Sequence, residues 1–332
     1  MKISIIVLSW NTKKLLRNCL DSILSSLTTS HRPPTTEIIV VDNGSTDGSP
    51  EIVKKIKKSK NQKIKIRLIE NKKNLGFAKG NNQGIRVAKG DLIMFLNSDT
   101  IVQKDAIAKL ARHLSQNKKA GAVCPLILNK DSSIQIDPVY LRYPSVASAL
   151  FYYNPFFRKI FLKIPFLRSL LFCPIDPKNP HIIEQLSGAA LMVRKKVLDQ
   201  VGLFDEKIPF YFEDSDLSKR IQKAGWKTLV EPAAQIIHLR GASVAQVISQ
   251  KKNQFDYYQR NFASLLFFCE KHYSWFKTAS IKWALIFNWL IISLFYLPMA
   301  MLKPRFWNKI LINLKLAISF TLAKPGKRKL WL

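Results

Sequence analysis

ISIIVLSWN (residues 3–11), EIIVVDNGSTD (37–47) and DLIMFLNSDT (91–100) share one pattern: a short apolar run, rich in branched side chains, that breaks off into small polar and acidic residues. Runs of this length and composition fit strands buried on both faces of a parallel sheet. The intervening segments carry helical stripes. Residues 12–27 place Leu15, Leu16, Cys19, Leu20, Ile23, Leu24 and Leu27 on one side, and 46–58 place Ile52, Val53 and Ile56 inward with lysines outward. IKIRLI (64–69) reads as a further strand, and 78–88 and 103–116 as further helices. Strand–helix alternation with short links predicts an α/β, Rossmann-like, mostly parallel sheet with helices on both faces. Such sheets bind ligands outside the carboxyl ends of their strands. Ser9, Trp10 and Asn11, then Asp42 and Asn43, then Asn97, Ser98 and Asp99 stand there. Ser45, Thr46 and Asp47 suit turn and cap positions. Asp42 and Asp99, at strand exits, suit ligand contact.

The chain has 332 residues, 53 Lys+Arg against 22 Asp+Glu, a formal charge of +31, and 47% apolar residues. It is long enough for about two domains and apolar enough to bury a core. Such a charge points to a polyanion: nucleic acid, anionic lipid or a phosphorylated ligand. Cys19, Cys124, Cys173 and Cys269 form no CxxC pair, which excludes a zinc ribbon and fits a reducing compartment. The apolar start of the chain is too short for a signal-peptide core, so a cytosolic N-terminal region is expected. No GxGxxG follows the first strand and no GxxxxGK[ST] occurs, which argues against dinucleotide oxidoreductases and P-loop NTPases. Gly76 in NLGFAKGNNQGI (74–85) suits a turn. Gly80 and Gly84 would let a helix lie close to a neighbour.

A second cluster lies in GAALMVRKKVLDQVGLFDEKIPFYFEDSDLSKRIQKAGWK (188–227). Glu213 and Asp214 follow Phe210, Tyr211 and Phe212 and open a helix whose inner face is Leu217, Ile221 and Ala224, with Gly225 at its end. Asp216 and Arg220 stand one turn apart and are expected to pair. A carboxylate at a helix start beside an apolar wall suits general-base work. His238, after a strand-like segment, suits a metal ligand.

In this order, ISIIVLSWN, VVDNGSTDGS, NLGFAKGNNQGI, FLNSDT, GAALMV, VGLFDE, FYFEDSDLSKR and IIHLRGAS resemble the family 2 glycosyltransferases of GT-A fold, in particular the rhamnosyltransferase-like branch. The resemblance spans roughly residues 1–245. It implies that Asp42 reads the nucleotide base. Asp99 ends the metal-binding DXD motif, here NxD because Asn97 stands first. His238 is the late metal ligand, and Asp214, beside Glu213, is the catalytic base. Ser9, Asn11, Asp42, Asn43, Gly76, Asn97 and Ser98 are then the donor-nucleotide candidates, and Mg2+ or Mn2+ is the implied ion. The chemistry agrees: a departing diphosphate gains charge that a divalent ion stabilises, and the attacking hydroxyl needs a base. One base with in-line displacement gives inversion; a retaining route would call for another arrangement.

The catalytic domain is therefore expected at 1–245, with an aromatic and basic acceptor-side insertion at 138–184. A helical, membrane-associating region is expected at 246–332. Within the insertion Arg158, Lys159, Lys163 and Arg168 alternate with Phe156, Phe157, Phe161 and Phe166. WALIFNWLIISLFYLPMAML (283–302) is uncharged and long enough to span a bilayer. Lys277 and Lys282 precede it; Lys303, Arg305, Lys309, Lys315, Lys324, Lys327, Arg328 and Lys329 follow it. Basic residues on both sides favour a hairpin or in-plane helices with both ends cytosolic, 306–323 being the second arm. The expected partners are a nucleotide-diphosphate sugar, a lipid-linked or cell-surface glycan acceptor and an anionic membrane surface at the cytoplasmic face, with no nucleic acid. The rival readings are a polyprenyl-phosphate glycosyltransferase, a nucleotidyltransferase without its triphosphate loop, and a non-catalytic basic protein that binds anionic lipid or nucleic acid.

Overall fold

The computed structural model describes residues 1–28, 34–58, 64–208, 211–239 and 254–322. Phe210, residues 240–243 of IIHLRGAS, the boundary near 245 and the basic tail Lys324, Lys327, Arg328 and Lys329 lie outside these described residues. The chain forms two compact units. One comprises Met1–Leu141, Pro174–Lys207 and Glu213–Ala245; the other comprises Arg142–Cys173, Ile208–Phe212 and Gln246–Leu332.

The first unit is built on strands β1 (Ile3–Ser9), β2 (Thr36–Asp42), β3 (Lys65–Glu70), β4 (Leu92–Asn97), β5 (Thr100–Val102), β6 (Ala120–Leu128), β7 (His181–Ile182), β8 (Ala190–Arg194) and β9 (Lys227–His238). They form one sheet in the order β3-β2-β1-β4-β8-β6-β9-β5, with β7 also on β9. β3, β2, β1 and β4 are mutually parallel, as the alternation predicts. Beyond β4 the sheet is mixed, because β8 runs antiparallel to both β4 and β6. β9 then runs parallel to β6, which brings its carboxyl end to the same edge as those of β1, β2 and β4. Helices α1 (Lys13–Thr28), α2 (Ser49–Lys57), α3 (Phe77–Val87), α4 (Ala106–Gln116), α7 (Lys195–Val201) and α8 (Glu213–Lys223) flank it. Every residue of β1 except Leu8 is buried, so both faces of the sheet centre are covered.

α3 lies close over β1 because it has glycines where it crosses. A methyl group on Gly80 would sit 2.5 Å from Leu8 Cδ1, and one on Gly84 2.7 Å from Ile6 Cγ2. α8 ends as its sequence requires. Gly225 has φ +85, its N–H donates to Gln222 O, and Trp226 N–H donates to Ile221 O, the paired bonds of a Schellman cap. The expected Asp216–Arg220 pair forms at 2.8 Å. Arg220 also donates to the carbonyls of Val201, Gly202 and Leu203, so it ties α8 to the end of α7.

The second unit contains α5 (Pro155–Lys163), α6 (Pro165–Leu171), α9 (Gln254–His272), α10 (Trp275–Leu302) and α11 (Arg305–Leu322). Its interior gathers Phe262, Phe268, Leu285, Trp289 and Phe320. Trp289 meets Phe320 and Tyr296 meets Phe306, so α10 and α11 pack as an antiparallel hairpin. α10 is, among the described residues, the helix long and apolar enough to cross a membrane. Its Trp283, Phe287, Leu290, Leu294, Leu297 and Met301 are all exposed and follow one another at helical spacing. The buried side instead carries Asn288. It accepts from Asn154 Nδ2 at 2.7 Å and donates to Ala149 O at 3.0 Å.

Candidate active site

The first unit gathers its polar strand ends at one edge. Asp42, the last residue of β2, is in register with Ser9 of β1. Asn97 of β4 is in register with Leu8 of β1, and its N–H donates to Ala189 O just before β8. Gly188, one residue earlier, donates its N–H to Asp214 Oδ2 at 2.7 Å. Asp99 follows Asn97 by two residues, and its carbonyl accepts from Leu239 N–H, beside His238 at the end of β9. A continuous line of backbone contacts therefore connects Asp42, Asn97, Asp99, Asp214 and His238.

Asp42 is 2% exposed. Its Oδ1 accepts from Gly44 N–H at 3.1 Å and Ser45 N–H at 2.8 Å, which shapes the turn after β2. Its Oδ2 is buried and has no hydrogen-bond partner among the described residues. An orphaned buried carboxylate oxygen costs about 1–3 kcal/mol or more and is able to accept from a further donor.

The other candidates at this edge are engaged in holding its loops. Asn43 donates to Gly76 O at 3.1 Å and accepts from Asn71 Nδ2 at 3.0 Å, which ties the β2 exit to the turn before α3. Gly76 takes φ +83 as α3 begins. Asn11 Oδ1 accepts from Thr46 N–H at 2.8 Å, and Asn11 N–H donates to Ser45 Oγ at 2.9 Å. The hydroxyls of Ser9, Thr12 and Ser98 form a buried chain with spacings of 3.0 and 2.7 Å. Asp47 accepts from Lys13 N–H at 2.7 Å and Ser49 N–H at 3.0 Å, as a capping residue should.

His238 Nε2 faces Asp99 Oδ1 at 3.4 Å, both side chains largely buried. On the far side of the ring, Nδ1 lies 2.8 Å from Gln135 Oε1. An amide oxygen only accepts, so Nδ1 carries the proton and donates to it. In the neutral ring Nε2 then turns a lone pair toward a carboxylate oxygen. Two acceptors facing one another are satisfied by a cation between them: a proton on the ring or a metal ion. One carboxylate oxygen and one imidazole nitrogen suit Mg2+ or Mn2+, which take further positions from phosphate and water. Among the described residues no three His, Cys, Asp or Glu side chains cluster to hold an ion. An ion held by Asp99 and His238 would take its further positions from outside this donor set.

Asp214 lies in the first turn of α8. Its Oδ2 accepts from Gly188 N–H, and its Oδ1 from Ser215 N–H at 2.8 Å. Burial pushes its pKa above the ordinary aspartate value, against these hydrogen bonds, which pull it down. Glu213 beside it is buried, whereas Asp214 retains partial exposure. The two residues before them, Tyr211 and Phe212, have φ of 63° and 68°. That conformation is strained for bulky side chains.

Sequence reasoning missed Gln135 and the Gly188 amide. Gln135 sits in an unpatterned polar stretch that signals nothing. Gly188 opened the quoted segment GAALMV, but only the fold aims its N–H at Asp214.

The family model for glycosyl transferase family 2 matches residues 4–172. The chain is 26% identical over 284 residues to an N-acetylglucosaminyl-diphospho-decaprenol L-rhamnosyltransferase of Mycobacterium tuberculosis, covering 80% of this chain and 84% of that one. It is 32% identical over 234 residues to a poly-beta-1,6-N-acetyl-D-glucosamine synthase of Staphylococcus epidermidis, covering 70% of this chain and 48% of that one. Among solved structures, the mannosyltransferase PcManGT from Pyrobaculum calidifontis in complex with GDP-Man and Mn2+ is similar with a TM-score of 0.54 at 17% identity, over 95% of this chain and 85% of that one. GalNAc-T7 with UDP, GalNAc and Mn2+ is similar with a TM-score of 0.53 at 16% identity, over 72% of this chain and 44% of that one. The expected GT-A fold is borne out.

Proposed function

The chain belongs to glycosyl transferase family 2, and we propose that this glycosyltransferase works with inversion on a nucleoside-diphosphate sugar and a lipid-linked or cell-surface glycan hydroxyl. The observation that carries this reading is Asp214: a partly exposed carboxylate at a helix start, oriented by two backbone N–H groups and made more basic by burial. Its carboxylate takes the acceptor hydroxyl's proton as the new glycosidic C–O bond forms. The bond from the anomeric carbon to the diphosphate breaks, and the nucleoside diphosphate leaves with the electron pair. Glu213, buried behind it, supports the helix start.

Asp42 offers its unpartnered Oδ2 to a donor N–H of the nucleotide base. Ser9, Asn11, Asn43, Gly76, Asn97 and Ser98 frame that pocket, the polar side chains chiefly by fixing its loops. Asp99 and His238 would hold Mg2+ or Mn2+, which supplies charge stabilisation to the departing diphosphate when bound. The Mn2+ in two structural neighbours supports a divalent ion here. Similarity to the mycobacterial rhamnosyltransferase favours rhamnose, or a related hexose, as the sugar and a polyprenyl-diphosphate-linked saccharide as the acceptor. Residues 1–245 form the catalytic domain in this reading. The C-terminal region, with the aromatic and basic insertion, associates with the cytoplasmic face of an anionic membrane. The exposed apolar stripe of α10 and its basic neighbours support that placement.

The test is Asp214→Asn in the full chain. We expect a loss of roughly 10²–10⁴-fold in turnover, with donor affinity preserved, measured by product formation and by calorimetry. Near-native turnover in that variant removes Asp214 as the base.

A further inference from the structure

We infer that Gln135 is a positioning residue that presets His238 as a metal ligand by fixing which ring nitrogen carries the proton. The inference rests on the proposed role of Asp99 and His238 and deepens it. Gln135 is 1% exposed, and its amide orientation is set by one acceptor that cannot reverse, the His238 backbone carbonyl. Its Nε2 donates to Asn129 Oδ1 at 2.8 Å and to the His238 backbone carbonyl at 3.2 Å. A carbonyl only accepts, so the amide nitrogen must face it and Oε1 must face the His238 ring.

A second chain of bonds fixes the same orientation from the surface. The Asp131 carboxylate accepts from the Ser133 hydroxyl at 2.6 Å. That leaves Ser133 Oγ to accept from Asn129 Nδ2 at 2.9 Å. Asn129 Oδ1 is thereby turned toward Gln135 Nε2. Gln135 Oε1 is turned toward His238 Nδ1–H at 2.8 Å, and the Nε2 lone pair toward Asp99 at 3.4 Å. The Ser133 hydrogen bonds hold the Asp131 carboxyl below the usual aspartate range, so this anchor stays ionised. Four side chains thus dictate one tautomer at the ring. Such an outer hydrogen bond to a ligating histidine both orients the ring and raises its basicity toward metal.

Two measurements on the full-length protein test this. The first is the ¹⁵N spectrum of the histidine rings of the metal-free protein at a pH where they are neutral, His238 being assigned by comparison with His238→Ala. We expect the proton on Nδ1 of His238; a proton on Nε2 overturns the inference without any change at Gln135. The second is a Mn2+ titration followed by electron paramagnetic resonance. We expect Gln135→Leu to bind Mn2+ roughly 10–100-fold more weakly. Gln135→Glu, which keeps an acceptor toward Nδ1, should recover much of that loss. If Asp99→Ala and His238→Ala weaken binding while Gln135→Leu does not, this inference alone fails. If none of the three changes Mn2+ binding, the metal reading fails with it. Should Gln135→Leu not fold, the tautomer in the native protein decides.

Discussion

In the sheet unit, apolar side chains fill the interior, and the candidate ligands Asp42, Asp99 and His238 stand at the carboxyl ends of its strands. In the helical unit α10 is apolar on both sides: Leu285, Trp289 and Ile292 are buried, Trp283, Phe287, Leu290 and Leu294 face outward, and the amide Asn288 is hidden and bonded to Asn154 and the Ala149 carbonyl. Under the membrane placement proposed above, both arrangements obey the same physics with a different surrounding medium. In water, burying apolar surface is the main driving force and polar groups stay outside unless paired. Against lipid tails, an exposed leucine costs nothing and an exposed amide costs much, so polar pairs turn inward to join helices. The sheet unit is therefore organised around what its edge can bind, and the helical unit around what its outer face can lie against.

Four measurements separate the two units. The largest effect is expected at Asp214. As the proposed base its carboxylate acts deprotonated, and burial raises its pKa above the ordinary aspartate value. kcat/KM should thus fall about tenfold per pH unit below that raised pKa, with the acid limb displaced upward from the ordinary aspartate range. A limb at the ordinary position would show that burial at this helix start does not tune the base. Next is the outer face of α10. Trp283→Glu with Phe287→Glu should cut binding to phosphatidylglycerol vesicles by about 100-fold or more, since each apolar side chain contributes roughly 1.5–3 kcal/mol of burial. Soluble donor binding should be unchanged. Vesicle binding that survives the double change would mean that the exposed stripe faces something other than lipid.

A smaller effect is expected at the orphaned oxygen of the sheet edge. Asp42→Ala should raise the donor dissociation constant by about 10- to 100-fold, the range for a lost hydrogen bond to a charged group. An unchanged constant would leave Oδ2 as a structural cost without a ligand. The smallest is at the hidden polar pair. Asn288→Ala should destabilise the detergent-solubilised protein by about 1–3 kcal/mol, because it strands Asn154 Nδ2 and the Ala149 carbonyl. Adding Asn154→Ala should cost only about what its N-cap of α5 is worth, roughly 1 kcal/mol, since its Oδ1 accepts from the Phe156 and Phe157 N–H groups. Fully additive losses would show that the two amides act separately.

The strands were legible because their signal is local. The run at 3–8 appears as Ile3–Ser9, and that at 37–41 as Thr36–Asp42. The Asp216–Arg220 pair and the Gly225 cap were legible for the same reason, since one helical turn fixes both. The candidate ligands were legible as residue types at strand ends, and the structure brings Asp99 and His238 face to face. What was not legible is long-range. Gln135 meets His238 across 103 residues, and Asn154 meets Asn288 across 134. Nor does any local pattern show that Arg142–Cys173 belongs to the same compact unit as the C-terminal helices.

The residues alone gave the existence and type of the elements in the parallel half of the sheet, the apolar faces of its helices and the carboxylates at its strand exits, because backbone periodicity and side-chain burial are set within a few residues. It took the folded chain to set β8 beside β4 and β9 beside β6, and to bring His238 to Asp99. Those outcomes depend on which distant segments pair and in what register, and no local pattern of residues encodes them.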